Sequence, residues 1–295
     1  MTPLPTDSLR LALPKGRMQE AILTLFADAG IPVRHGARGY RPRVPLPAVD
    51  AKILKPQTIV EMLALGVRDA GFAGADWVRE LVGAAPESGP IEALDTGLDP
   101  VRLVVAAPRE LLERGRLPER PLLVASEYPR LAQEWIARRC MGDSFVRSFG
   151  ATEVFPPDDA DCILDVTQTG ATLEANGLAI VEDVLISSTR LYVSRAAWND
   201  PGRRATVDTL VLLLRSALDA RGRVMLELNV DAERLADVLS ALPAMREPTL
   251  SPLSGRRGFA VKAAVRRDQL AELIPALKRQ GGADLVVTPL VQVSV

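Results

Sequence analysis

The segment Cys162-Ile-Leu-Asp-Val-Thr-Gln-Thr-Gly-Ala-Thr-Leu-Glu-Ala-Asn-Gly-Leu178 joins a short apolar run to a loop rich in hydroxyl groups and glycine. Residues 162–164 and Val166 are typical of a strand buried on both faces of a parallel sheet. Asp165 interrupts the run, and a buried carboxylate is costly unless it meets a polar ligand or lies at the strand's exposed carboxyl end. Because open α/β sheets bind ligands at that end, the segment predicts an α/β fold with a ligand site at this loop.

The loop that follows Asp165 has the composition of a phosphate site. Hydroxyls around a glycine, with backbone N–H groups leading into a helix, form a concave set of donors, while the carboxylate one step earlier suits ribose hydroxyls. Thr-Gly-x-Thr alone is more typical of a capped strand-to-helix turn, but Asp165 on the preceding strand favours a bound phosphoribosyl group. The residues that we expect to contact its 5′-phosphate are Thr167, Thr169, Gly170, Ala171 and Thr172.

Length and composition place the chain among soluble globular proteins of two or three domains. It has 295 residues, 47% hydrophobic and 25% charged, and 36 basic against 37 acidic side chains leave no global field that would attract nucleic acid or a membrane. Residues 1–7 lack the pattern of a signal peptide, so we expect a cytoplasmic protein. We expect the two cysteines to be small buried residues of a protein in a reducing compartment. His35 is the single histidine, so we expect no metal site of the zinc type.

A second anion site is expected at Lys15-Gly16-Arg17. Residues 9–13 alternate as a strand, Pro14 ends it, and apolar residues then recur at helical spacing as far as Gly30. The tripeptide therefore lies at the amino end of a helix, where the dipole and the free N–H groups favour an anion. A solvated basic turn explains the tripeptide equally well.

Residues 165–178 resemble the phosphoribosyl-diphosphate (PRPP) loop of the ATP phosphoribosyltransferase family, and the resemblance covers essentially the whole chain. Four further segments are similar to family segments and occur in the family's order. They are Leu13-Pro-Lys-Gly-Arg17, Gly71-Phe-Ala-Gly-Ala-Asp76, Ser126-Glu-Tyr-Pro129 and Pro248-Thr-Leu-Ser-Pro-Leu253. The resemblance associates the lysine and arginine of the first segment with the diphosphate or triphosphate groups, and this favours a functional role for Lys15, Gly16 and Arg17.

Two of these segments supply further candidate residues for substrate binding. Gly74 ends a predicted strand and permits close approach, while Asp76 either caps the helix that follows or binds a ligand, capping being the commoner role. Glu127 and Tyr128 follow another predicted strand, and Tyr128 either faces the adenine or packs in the core.

The resemblance implies the first reaction of histidine biosynthesis, in which the N1 nitrogen of ATP displaces diphosphate from PRPP. Such a displacement requires alignment of the two substrates and stabilisation of the departing charge, with Asp165, Lys15 and Arg17 as the catalytic candidates. Mg²⁺ is the implied cofactor, since it bridges diphosphate oxygens. No serine elbow or cysteine–histidine pair supports covalent catalysis.

The resemblance also implies a bilobed core like that of periplasmic binding proteins and a C-terminal ferredoxin-like (ACT-like) regulatory domain. We expect catalytic lobe I at 1–103 and 184–221, lobe II at 104–183 and the regulatory domain at 222–295, the last ending in two strands at 285–287 and 290–293. Histidine is the implied inhibitor, and dimers assembling to a homohexamer are the implied oligomer. The effector candidates are Thr249 and Asn229. Several relatives carry an acidic residue at the position of Asn229.

Two rival functions follow from the same sequence. Bilobed α/β chains also occur as non-catalytic ligand-binding or sensor modules, but the chain shows neither an export signal nor a DNA-binding segment. A different PRPP-dependent transferase, with another acceptor base, would use the same loop. Product analysis with several purine nucleotides distinguishes these two functions from the ATP phosphoribosyltransferase reaction.

Overall fold

A computed structural model describes residues 8–34, 39–83, 89–245, 247–255 and 257–294. The expectations about residues 1–7 and His35 lie outside these ranges. Two compact units are present, one made of Met1–Thr24 and Val33–Thr209 and the other of Leu25–Pro32 and Leu210–Val295.

The N-terminal unit is built on one eight-stranded sheet. Its strands are β1 (Leu9–Pro14), β2 (Val49–Leu54), β3 (Ala70–Gly74), β4 (Ile91–Pro108), β5 (Leu123–Ser126), β6 (Ser144–Arg147), β7 (Cys162–Thr167) and β8 (Leu178–Val193), in the order β2-β1-β3-β8-β4-β7-β5-β6. Pairing is parallel within β2-β1-β3 and within β7-β5-β6, whereas the long strands β8 and β4 are antiparallel to each other and to their outer neighbours. Two parallel groups thus share one long antiparallel pair, and the α/β bilobed, periplasmic-binding-protein-like core is confirmed.

The register directs both parallel groups towards the middle of that pair. Gly74, the last residue of β3, pairs with Thr189, which pairs in turn with Leu98 of β4. Thr167, the last residue of β7, pairs with Arg102, only four positions further along β4. Because parallel sheets bind ligands at their carboxyl ends, this register makes one cleft from the ends of both groups. The β4–β8 pairing shifts register on either side of Leu98, at Asp95/Leu98 and Leu98/Val101.

Helices lie between and after these strands. They are α1 (Arg17–Asp28), α2 (Pro56–Ala64), α3 (Ala75–Val82), α4 (Pro129–Arg139), α5 (Ala171–Ala175), α6 (Arg195–Trp198) and α7 (Pro201–Arg221), which extends from residue 210 into the C-terminal unit. Both α2 and α4 begin at a proline, whose fixed φ suits the first helical position. Leu131 and Trp135 of α4 pack with Leu103 and Val124 of the sheet, and this burial holds α4 against β5.

The C-terminal unit is ferredoxin-like, as expected, although the order of its strands along the chain differs from the predicted order. Its elements are β9 (Arg223–Asp231), α8 (Leu235–Ala241), β10 (Thr249–Pro252), β11 (Gly258–Arg266), α9 (Leu270–Arg279) and β12 (Ala283–Pro289), and the antiparallel sheet has the order β10-β11-β9-β12. Alternate residues of β9 point to one face and pack with Val238, Leu273 and Leu277 of the two helices, leaving the other face of the sheet exposed.

Two expectations about local structure are wrong. The chain ends in the single strand β12, which stops at Pro289, and no strand forms at 290–293 in the part of the chain described. The fourth strand of the sheet is instead the short β10, at the edge next to β11. Cys162 is buried as expected, but Cys140, which ends α4 in a left-handed conformation with φ 55°, is exposed.

Candidate functional site

A cavity of about 290 Å³ lies at the carboxyl end of β7. Predicted site residues line it together with residues that the sequence analysis did not single out. The predicted ones are Arg17, Asp165, Thr167, Thr169 and Thr172, and the others are Val101, Glu153, Val166, Gln168 and Leu173. The structure therefore brings Asp165, Arg17 and the predicted phosphate-binding loop at residues 167–172 (the phosphate loop) to a single concave surface.

The phosphate loop is held in shape by its own hydroxyls. Thr167 Oγ1 accepts a hydrogen bond of 2.9 Å from the Gly170 N–H, and Thr169 Oγ1 accepts one of 3.3 Å from the Ala171 N–H. Gly170 has φ +85°, a left-handed conformation that glycine adopts without steric cost, and it precedes α5 directly. The Gly170 and Ala171 N–H groups are therefore bonded within the loop, and neither residue lines the cavity. Thr172 and Leu173 do line it, and they lie in the first turn of α5, where N–H groups lack intrahelical partners.

Asp165 is a carboxylate held in an unfavourable environment. Its pKa is raised to about 6, chiefly by burial and in part by the acidic side chains Glu127 and Glu153, whereas hydrogen bonds from the Val166 N–H and the Thr152 hydroxyl oppose the shift. The Val166 N–H bond is 2.7 Å long. Strong pKa perturbation by burial beside a cavity is a feature of functional carboxylates, and Asp165 is still ionised at neutral pH.

The three residues of the first basic turn are placed differently. Arg17, the first residue of α1, lines the cavity, and its guanidinium lies 3.4 Å from the Asp99 carbonyl oxygen. Lys15 points to Tyr40, with Nζ 3.2 Å from the hydroxyl and 5.1 Å from the ring centroid. Gly16 has φ +88° and turns the chain from β1 into α1. Only Arg17 of these three lines the cavity.

The β3–α3 turn and the β5–α4 turn meet in a buried polar cluster. Asp76 is 2% exposed, and its two carboxylate oxygens accept hydrogen bonds from the Ser187 hydroxyl (2.6 Å) and the Tyr128 hydroxyl (2.7 Å). The capping alternative for Asp76 is wrong, because α3 begins after Gly74 with no side-chain cap. A Cβ on Gly74 would lie 2.1 Å from Asp76 Oδ1, so glycine is required for this approach.

Tyr128 follows the packing alternative in this structure. Its ring is buried and stacked on Trp77 with centroids 4.5 Å apart, and burial together with Asp76 raises the pKa of its hydroxyl. Neither Tyr128 nor Asp76 lines the cavity at β7. Their contribution to a substrate site stays a prediction, as does that of half-buried Glu127.

Glu80 is a functional candidate that the sequence analysis missed. It is 5% exposed, and its two carboxylate oxygens accept hydrogen bonds of 3.0 Å from the N–H groups of Arg130 and Leu131. These are the first N–H groups of α4, so a side chain of α3 caps the neighbouring helix and fixes the turn that carries Tyr128. A cap between helices that are distant in sequence leaves no local signal.

The two effector candidates lie on the exposed face of the C-terminal sheet. Asn229 on β9 is cross-strand to Ala260 of β11, which is cross-strand to Ser251, two residues from Thr249. Asn229 and Thr249 therefore share a face but are separated by a strand. The Asn229 amide donates a 3.0 Å hydrogen bond to Asp284 on β12.

The described residues contain neither a metal-binding cluster nor a helix that could span a membrane. Among them no group of three or more histidine, cysteine or acidic side chains is arranged to hold a metal ion. Likewise, none of the helices in the described ranges combines the length and apolar character needed to cross a bilayer.

Comparison with known proteins gives the family. The family model described as ATP phosphoribosyltransferase matches residues 55–216, and the model of the HisG C-terminal domain matches 220–292. The chain belongs to the ATP phosphoribosyltransferase family. A relative named ATP phosphoribosyltransferase from Pelotomaculum thermopropionicum is 36% identical over 97% of this chain and 99% of its own length. A relative of the same name from Desulforudis audaxviator is 36% identical over 96% of this chain and 98% of its own length.

A solved structure agrees in fold with this member of the ATP phosphoribosyltransferase family. The ATP phosphoribosyl transferase (HisG:HisZ) complex from Thermotoga maritima contains a chain of 24% identity, with a TM-score of 0.61 over 72% of this chain and 98% of that chain. At this identity the similarity supports the fold alone.

Proposed function

We propose that the chain transfers the phosphoribosyl group of PRPP to the N1 nitrogen of ATP, releasing diphosphate, as the first step of histidine biosynthesis. The observation that carries this proposal is the cavity at β7, where the phosphate loop, Asp165 and Arg17 converge. Family membership favours this enzyme over a non-catalytic sensor module. The fold alone would not decide between them, because bilobed α/β chains serve both functions.

We assign the binding of PRPP to the residues of this cavity. The hydroxyls and N–H groups of the loop would hold the 5′-phosphate, and ionised Asp165 would accept hydrogen bonds from the ribose hydroxyls. Arg17 faces the same cavity from α1, so that its guanidinium would stabilise the departing diphosphate. Because the leaving group is already good, this binding contributes to catalysis by aligning the anomeric carbon with the attacking nitrogen.

Mg²⁺ fits this donor set as an ion carried by the substrate. The cavity offers the carboxylates of Asp165 and Glu153, and Mg²⁺ commonly binds through one or two carboxylates together with substrate phosphates and water. When bound, the ion would neutralise charge on the diphosphate. A protein cage of three or more ligands is not needed for that role.

Product analysis tests the reaction. The chain is incubated with PRPP, Mg²⁺ and each purine nucleotide in turn, and N1-substituted product is detected by mass spectrometry. Product with ATP is expected; product with another base instead would identify a different PRPP-dependent transferase. Asp165→Ala should raise the PRPP concentration for half-maximal rate at least about tenfold, since charged hydrogen bonds of about 1.5–3 kcal/mol are lost. Exposed Asp159→Ala is the control, and equal PRPP dependence in both variants would refute the assignment.

We also propose the finer features that the family resemblance implies. These are catalytic lobes at 1–103 with 184–221 and at 104–183, a regulatory domain at 222–295, histidine as feedback inhibitor, a homohexamer and a cytoplasmic location. The match of a separate C-terminal family model to residues 220–292 supports a distinct C-terminal function. Thr249→Val should weaken inhibition by histidine, whereas Thr209→Val should not. Full inhibition in Thr249→Val would exclude Thr249 from the effector site.

A further inference from the structure

The C-terminal unit has a cavity of its own, whose lining residues differ in chemical character from those of the cavity at β7. Its volume is about 480 Å³, and it lies where the end of α7, the start of β9 and the β11–α9 turn come together. It is lined by Leu218, Asp219, Arg221, Gly222, Arg223, Arg266, Arg267 and Asp268. Four guanidinium groups face two carboxylates, so the lining is positive.

The strand register places two of these arginines directly opposite each other. Arg223 opens β9 and Arg266 closes β11, and the two are cross-strand partners in the antiparallel pair. Like charges in this position destabilise a sheet, and Arg267 adds a third cation at the next position. The Arg267 N–H donates a 2.9 Å hydrogen bond to the Gly222 carbonyl, which ties the turn to the end of α7. The fold therefore concentrates positive charge here at a cost in stability.

Ion pairing compensates only part of this charge. Arg221 pairs with Asp28 at 2.7 Å, and Arg266 pairs with Asp268 at 2.5 Å. Across the residues that the structure describes, neither Arg223 nor Arg267 forms an ion pair. The cavity thus keeps two guanidinium groups whose natural partner is an anion from outside the chain.

We propose that this cavity binds an anion with two or more linked phosphate groups, either free diphosphate or the polyphosphate chain of a nucleotide. The planar fork of arginine matches the geometry of phosphate oxygens and forms short charge-assisted hydrogen bonds with them. Several arginines around one cavity favour a ligand with more than one negative charge. The volume of the cavity also exceeds that of a single phosphate group. This site is independent of the function proposed for the cavity at β7.

Amide hydrogen exchange of the full chain tests the proposal. The two cavities are lined by different segments, so protection of each cavity is measured in different peptides. Millimolar diphosphate or ATP should slow exchange in peptides covering 218–223 and 265–269, whereas orthophosphate and AMP should not. A lower half-saturation concentration for ATP than for diphosphate would identify the nucleotide as the ligand, and the reverse would identify free diphosphate. Equal protection by orthophosphate, or no protection by any of the four, would overturn the proposal.

Matched charge-removal variants give the second test. R223Q/R267Q should raise the half-saturation concentration at least about tenfold, because charge-assisted hydrogen bonds are lost, while R215Q/R279Q, which removes two exposed arginines of the same unit outside the cavity, should not. Without ligand and at low salt, R223Q should raise the melting temperature above that of R215Q, since a like-charge pair is removed. Unchanged binding in R223Q/R267Q, or a lower melting temperature in R223Q, would overturn the inference.

Discussion

Replacing Asp165 by asparagine should stabilise the N-terminal unit while removing its proposed activity. The pKa of Asp165 is about 6, against an ordinary value of 3.8, chiefly because of burial. A difference of roughly two units corresponds to about 3 kcal/mol between the protonation states. Water reaches the half-buried carboxylate at the cavity, so we expect about 1–3 kcal/mol in practice.

The sign of the effect follows from the raised pKa. Well below the ordinary pKa of 3.8 the carboxyl group is protonated in both the folded and the unfolded chain, and it does not affect the difference in stability. As the pH rises towards 6, the unfolded chain ionises first, so the free energy of unfolding falls; above pH 6 the loss is complete. Asparagine stays neutral throughout. Asp165→Asn should therefore be more stable at pH 7.5, and its advantage should shrink as the pH falls from 6 and vanish well below 3.8.

Tryptophan fluorescence during heating is the suitable assay. The chain has three tryptophans, Trp77, Trp135 and Trp198, all in the N-terminal unit, so the signal reports that unit alone. At roughly 2 °C per kcal/mol for a unit of this size, the variant should melt about 2–6 °C higher at pH 7.5.

Asp161→Asn is the matched control with the opposite sign. Asp161 lies just before β7 and accepts 2.8 Å hydrogen bonds from the Leu123 N–H and from Arg120. Burial acts to raise the pKa of its carboxyl group, but these contacts together outweigh burial and hold the pKa below the ordinary value. Its stabilising contribution is present at neutral pH and is lost as the pH falls through the lowered pKa. Asp161→Asn should therefore melt lower at pH 7.5. If Asp165→Asn also melts lower, or its effect does not depend on pH, burial is not the cause of the raised pKa.

Two further predictions concern the buried polar contacts of α3. Gly74→Ala should destabilise the unit by about 1–3 kcal/mol, because its Cβ would overlap the carboxylate of Asp76, whereas Gly202→Ala at the start of α7 should be neutral or stabilising; equal melting temperatures for the two variants would contradict this. Glu80→Gln should cost about 1–3 kcal/mol, because an amide offers one acceptor to two N–H groups, and should speed exchange in the first turn of α4, whereas Glu134→Gln should change stability by less than about 1 kcal/mol. Unaltered exchange there would show that Glu80 is not the cap.

The sequence predicts well those features that depend on local pattern. The apolar run at 162–166 predicts β7, and the hydroxyl and glycine spacing after it predicts a loop whose shape matches a strand-to-helix turn. Buried residues alternate along β9 and β11, and this alternation agrees with the ferredoxin-like unit that is expected for the C-terminal part. In each case the periodicity of buried positions follows directly from the geometry of the element.

The features that the sequence does not predict depend on contacts between distant segments. Asp76 meets Ser187 across 111 positions, and Glu80 reaches α4 across about 50. Neither pairing has a local pattern, and the commoner local role of an acid at a helix start, capping, predicts the wrong partner for Asp76. The exposure of Cys140 is missed for a similar reason, because burial of a cysteine is a tendency of the residue type and the helix end decides its position.

The long pair β4–β8 acts as a spacer between the two halves of the cleft. The phosphate loop adjoins the pair at Arg102, and β3 reaches it opposite Leu98, with the register irregularities lying between and beside these points. One residue of extended chain adds roughly 3.3 Å, about the length of a hydrogen bond. The number of residues between 95 and 102 therefore sets the distance that a ligand must span to contact both halves at once. An insertion or deletion there would change the width of the cleft and would leave the side chains that line it unchanged.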